Sequence, residues 1–147
     1  MLRLEGPVWN DTLVHFRRCG QGRRECVVLW TGPLDAPGSV DVALHPEHSA
    51  TPMNYRVNTA WLHRLHLQLF EEHRTIRAQV HTHKGAAFHS VTDDTYPAVN
   101  VPGFLSLVLP RFALGQMTEE DMWLAELGQE GGWRSARPSE RIEGIRP

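Results

Sequence analysis

Residues 79–94 read QVHTHKGAAFHSVTDD, and this stretch limits how the rest of the chain can be arranged. Histidines two apart, here His81 and His83, share one face of a β-strand, because strand side chains alternate between faces. Ile76 to His81 reads as that strand, and Gly85 marks its passage into a loop. Asp93 lies in a short helical turn, 92–96, that Pro97 stops, and from there it can return to the histidines. Two imidazoles and one carboxylate make three protein ligands. With a fourth position left for water, that is the donor set of a catalytic zinc site, not of a closed structural one.

The other elements supply a scaffold for that strand. Residues 7–19 read as a helix: Pro7 suits a first turn, Trp9, Leu13 and Phe16 recur at helical spacing, and Gly20 stops it. Glu25–Thr31 (ECVVLWT) reads as a buried strand with a glutamate at its mouth, and Ser39–Leu44 (SVDVAL) as the next strand. Asn58 is a good N-cap for the helix TAWLHRLHLQLFEEH, which puts Leu62, Leu65, Leu69 and Phe70 on one face. Phe104–Leu109 is an apolar strand ended by Pro110, and 111–120 is irregular. Asp121–Leu127 and Trp133–Ala136 form a hairpin that would let Trp123 and Trp133 touch. The domain is expected over 1–137, with 138–147 a loose polar tail.

With 147 residues the chain suffices for one domain with one core. No run of about 18 apolar residues suggests a membrane span, and the N-terminus lacks the pattern of a signal peptide. A formal charge of −2 leaves no basic footprint for nucleic acid. A cytoplasmic protein is expected, whose two cysteines, Cys19 and Cys26, stay reduced. Cys26 falls on the face opposite Glu25 and reads as a small core residue. The nine histidines exceed what one site uses. His15 reads as part of a solvated helix face, and His63 and His66 as packing or surface residues. His45-Pro46-Glu47-His48 suggests a second metal site, but a plain polar loop is the preferred reading.

Taken together, Glu25 and its strand up to Gly32, His81-x-His83, and Ser90-x-x-Asp93 resemble the motif of the JAMM (MPN+/JAB) metallopeptidases. Six residues, Lys84 to His89, separate His83 from Ser90, where many members have one more. Lys84 stands where a proline is usual, and Val28 where a glycine is usual. That spacing, with Phe88-His89-Ser90-Val91-Thr92-Asp93-Asp94, resembles a bacterial subgroup encoded beside ubiquitin-activating-like and ubiquitin-conjugating-like enzymes in antiphage operons. The Ser-x-x-Asp match favours Asp93 as third ligand, with Asp94 the alternative.

The resemblance implies an α/β (α+β) fold, a single MPN/JAB-like domain whose curved mixed sheet is flanked by helices. It implies one zinc ion held by His81, His83 and Asp93, with Glu25 as general base. Ser90 would donate to the oxyanion, or would simply cap the turn that carries Asp93. The implied reaction is hydrolysis of the peptide or isopeptide bond after the C-terminal tail of a ubiquitin-like protein, during maturation or deconjugation. No substrate-binding residues are assigned, since Lys84 and His89 fit exposure as well as contact. Two rivals are a peptidase of the same chemistry acting on a sulfur-carrier or phage-tail protein, and a catalytically inactive MPN scaffold. Scaffolds usually lose the histidines or the glutamate, and this chain keeps them.

Overall fold

The computed structural model describes residues 1–88 and 97–147. Strand β2 (Val27–Pro33) is buried along six of its seven residues. An unbroken apolar run such as VVLW suits a strand covered on both faces. Cys26, Val28 and Trp30 pack on one side, in a cluster with Val8, Trp9 and Phe16. Those three come from helix α1 (Val8–Gly20). Leu29 packs on the other side with Leu65 and Leu69 of helix α2 (Thr59–Glu71). Trp30 Nε1 donates to Thr12 Oγ1 at 2.9 Å, which satisfies a buried indole and locks α1 to the sheet.

Beside β2 runs β7 (Arg74–Thr82), antiparallel to it. Then come β8 (Leu105–Leu109), parallel to β7, and β9 (Trp123–Leu127) and β10 (Trp133–Ala136), each antiparallel to its neighbour. With β4 (Val42–Leu44) on the other edge, six strands of the described residues form one mixed sheet with a helix on each face. This is the expected α/β (α+β) architecture, and it is not a closed barrel.

The ladder between β2 and β7 changes register at Trp30 and Thr31: Trp30 faces Ala78, but Thr31 faces Ile76. Arg77 is the extra residue of this bulge, and one of its guanidinium nitrogens donates to Pro33 O at 2.6 Å. The extra residue moves the following side chains to the other face. Ile76 belongs to the α2 side, as do Gln79 and His81 beyond the bulge, while Ala78 and Val80 pack toward α1.

Several sequence expectations need correction. SVDVAL is not one strand. It breaks at Asp41 into β3 (Ser39–Val40) and β4, because Asp41 N donates to Thr31 O and its carboxylate pairs with Arg74. β3 pairs with β1 (Leu2–Leu4), a strand the sequence did not announce. At Gly32 any Cβ would run into the Ser39 carbonyl, so the glycine near the end of β2 is there for close approach. Phe70 does not share the buried face of α2 and is 78% exposed, since only Leu65 and Leu69 turn fully inward. Trp123 and Trp133 do not meet: Trp133 stands opposite Leu127, and Trp123 opposite Val108. Residues 138–147 are not a loose tail. Pro138–Arg141 forms helix α3, and β11 (Ile142–Glu143) pairs in parallel with β1. Ile142 is buried in the α1-side core, and Trp9 Nε1 donates to Arg146 O at 2.8 Å. The segment is polar in composition yet supplies one well-placed apolar side chain.

A second unannounced element is the hairpin of β5 (His48–Thr51) and β6 (Asn54–Val57), which precedes α2. Asn58 caps α2 as expected, its side-chain oxygen accepting from Trp61 N at 2.8 Å.

Candidate functional site

Val27 and His81 are direct partners across the β2–β7 ladder. The pairing runs one residue further, with Thr82 N donating to Cys26 O at 3.0 Å and Cys26 N to Thr82 Oγ1 at 2.9 Å. Strand alternation therefore carries Glu25 and His83 toward the side on which Val27 and His81 lie. The two imidazole rings lie 5.2 Å apart between centroids. His81 is fully buried, and His83 and Glu25 are 5% and 6% exposed. Three side chains rich in lone pairs are thus sequestered at one end of two adjacent strands. Their donor types are those a divalent cation such as zinc takes from a protein.

The surroundings hold these groups in place. Tyr55 of β6 lies 5.0 Å from the His81 ring, and Phe88 packs edge-on to His83 at 4.5 Å. Glu25 N donates to Thr51 O of β5 at 3.0 Å, so the hairpin grips the backbone of the glutamate. His83 N donates to Leu109 O at 2.9 Å, and His83 O accepts from Phe112 N at 2.8 Å. Phe112 belongs to three successive non-glycine residues, Arg111, Phe112 and Ala113, with φ of 52°, 55° and 58°. Left-handed backbone costs about 1–2 kcal/mol per residue. Here it directs the Arg111 and Phe112 amides at the carbonyls of Gly85 and His83. Strain of this kind collects where a segment must be held in one place.

Ser90, Asp93 and the alternative Asp94 lie outside the described residues, as do His89 and the turn expected at 92–96. The flanks of that segment are both fixed near the histidines. Phe88 contacts His83 on one side, and on the other Ala98 N donates to Gln79 Oε1 at 2.9 Å. Gln79 is itself buried and donates to Ser106 Oγ at 3.1 Å.

On the opposite side of the β2 entrance lies a group that the sequence reading dismissed. Cys19, Cys26, His45 and His48 bring one ligand-type atom each within 4.8 Å of one another. Cys19 and Cys26 are joined as a disulfide, with Cα atoms 6.2 Å apart, and not held as the two separate thiols expected. The reason is local: the last turn of α1 delivers Cys19 to the start of β2. His48 Nε2 lies 3.3 Å from Cys19 Sγ, and His45 Nε2 lies 3.3 Å from Cys26 Sγ. Cys26 is buried, as expected, but it faces more than apolar neighbours. His15 is no solvated helix face either, because its ring stacks on His45 at 5.5 Å. Burial pushes His45 below the usual imidazole range, and the neighbouring His48 and His15 act in the same direction. The available signal was the Cys, Cys, His-x-x-His order, but its wide spacing matches no common finger pattern. His63 and His66 are exposed on α2, as read.

No family model matches the chain. It is 36% identical over 104 residues to "Probable metalloprotease y4jG" of Sinorhizobium fredii, an alignment covering 67% of this chain and 64% of that protein. The chain thus spans a little less than two thirds of that relative's length. Among solved structures it is similar to protein DSY2949 of Desulfitobacterium hafniense, determined in solution. The TM-score is 0.68 over 99% of this chain and 95% of that one, at 14% identity, a likeness of fold alone. Among the described residues no helix is long and apolar enough to cross a membrane.

Proposed function

We propose that this chain is a zinc-dependent peptidase of the JAMM (MPN+/JAB) type, cutting the amide bond after the C-terminus of a ubiquitin-like protein. The observation that carries the reading is the joint burial of Glu25, His81 and His83 at one end of β2 and β7. The likeness to a probable metalloprotease supports the same reaction class. His81, His83 and Asp93 would hold the ion, with Asp94 as the alternative third ligand. Bound there, zinc would supply Lewis acidity, polarising the scissile carbonyl and lowering the pKa of a water to about 7.

The chain's own residues then divide the work. Glu25 takes the proton of the attacking water and later passes it to the leaving amine. Ser90 donates its hydroxyl proton to the oxygen on which negative charge develops, a contribution of about 2.7–4 kcal/mol for a donor of that kind. Tyr55 and Phe88 cover the histidines and keep bulk water from them. An extended substrate tail would bind by adding a strand to an exposed sheet edge. The setting we infer is cytoplasmic, in a bacterial ubiquitin-like antiphage system. Its ubiquitin-activating-like and ubiquitin-conjugating-like enzymes would make the conjugates.

The test is intact-mass analysis of a ubiquitin-like protein fused at its C-terminus to a reporter, incubated with wild type or Glu25→Gln. Cleavage right after the tail by wild type alone supports the reading. Cleavage instead of a sulfur-carrier or phage-tail fusion would keep the chemistry and replace the substrate. No cleavage of any fusion by zinc-loaded protein would leave the metal site standing and move the question to the partner or to an activator, whereas failure to hold zinc would favour the scaffold.

A further inference from the structure

Cys19, Cys26, His45 and His48 form a second metal site, we infer, that in the reduced protein takes a zinc-class divalent cation as a closed tetrahedral structural centre. The two thiolates and two imidazoles come from three places: the end of α1, the entrance of β2, and the segment that opens β5. In a tetrahedral site, metal–sulfur bonds of about 2.3 Å and metal–nitrogen bonds of about 2.0–2.1 Å place neighbouring donors about 3.3–3.8 Å apart. Both sulfur–nitrogen approaches are 3.3 Å, and all four donor atoms stay within 4.8 Å. The set therefore closes around an ion with side-chain shifts of about 1 Å.

The hydrogen bonding of His48 points the same way. Its Nδ1 lies 2.9 Å from the Pro46 carbonyl, which can only accept, so Nδ1 carries the proton. In the neutral ring, Nε2 then presents a bare lone pair toward Cys19. A disulfide sulfur has no proton to offer it, whereas a metal ion would use it. A backbone carbonyl that fixes the far nitrogen of a histidine is the usual support of a metal ligand.

The disulfide is then the oxidised, metal-free form of this site. Thiol–disulfide exchange with a dithiol reductant supplies two electrons and two protons. The Cys19–Cys26 bond breaks, two thiols form, and the reductant's own thiols close into a disulfide. Binding of the cation releases those two protons to water as the thiolates form. Four protein ligands leave no position for substrate, so the ion would be architectural. Its place suits that role, because Cys26 adjoins Glu25, and β5, which starts at His48, takes the Glu25 amide through Thr51 O.

Cobalt(II) titration of the reduced full-length protein tests this, because thiolate-to-cobalt charge-transfer absorption reports this site and not one made of histidines and carboxylate. We expect that band in wild type, and equally in a His81→Ala/His83→Ala variant, with one equivalent of zinc retained by the latter. Cys19→Ser and His48→Ala should each weaken cobalt binding by more than the roughly 10- to 100-fold that loss of a mere supporting partner costs. Absence of the band in wild type with both thiols free would overturn the site and leave the cysteines as a disulfide alone. So would an unchanged band in Cys19→Ser.

Discussion

Val27 stands directly opposite His81 in the antiparallel ladder of β2 and β7. That pairing decides where Glu25 falls, because two residues nearer the strand entrance alternation takes it toward His83. Glu25→Gln keeps the size of a buried side chain but removes its ability to take a proton. We expect zinc content and melting temperature to stay close to wild type and cleavage to fall by about 100-fold or more, the range of a lost general base. Cleavage within a few-fold of wild type would mean that another group is the base.

His83 sits where two chain segments clamp its backbone, through Leu109 O and Phe112 N. His83→Ala should therefore fold, and should lose the ion at this site because two protein ligands remain. Zinc counted by elemental analysis in a Cys19→Ser background isolates this site from the cysteine cluster. In that background Asp93→Asn should lose zinc and Asp94→Asn should keep it. The reverse pattern would make Asp94 the ligand.

What was legible in the sequence follows from periodicity. ECVVLWT and FLSLVL are apolar on both faces and could only be interior strands, and Asn58 signals the start of α2 without tertiary help. His81 and His83 were placed on one face by spacing alone, and their ring centroids lie 5.2 Å apart. Other features were not legible because distant partners create them. The left-handed backbone of Arg111 to Ala113 carries no glycine to announce it and exists to meet His83 and Gly85. The β5–β6 hairpin is polar and short, and it gains its place by covering His81 and the Glu25 amide. The cysteine–histidine group is assembled only when α1 and β2 pack, so no local pattern could have declared it.

Ile142 is the clearest test of the C-terminal segment. It is 3% exposed and lies in the α1-side core, where β11 pairs with β1. A buried isoleucine truncated to alanine typically costs about 2–5 kcal/mol through lost transfer energy and the cavity left behind. We expect Ile142→Ala to lower the urea midpoint with the m-value unchanged. A loss below about 0.5 kcal/mol, usual for surface positions, would return residues 138–147 to a loose tail.

Arg74 and Asp41 tie the start of β7 to the break between β3 and β4, and the Arg74 guanidinium also donates to Thr31 Oγ1 at 3.2 Å. The hydrogen bond from Arg74 holds the Asp41 carboxyl below its ordinary 3.8. A folded-state pKa lowered in this way contributes stability that is fully present above the unfolded value. The contribution is lost as pH falls through the folded one. Asp41 is 39% exposed, so solvent screening limits the pair to about 1 kcal/mol or less. Urea midpoints of wild type and Asp41→Asn should therefore differ at neutral pH and converge on acidification below pH 3.8. A gap that persists unchanged through that window would mean that the substitution acts otherwise than through the charge of Asp41.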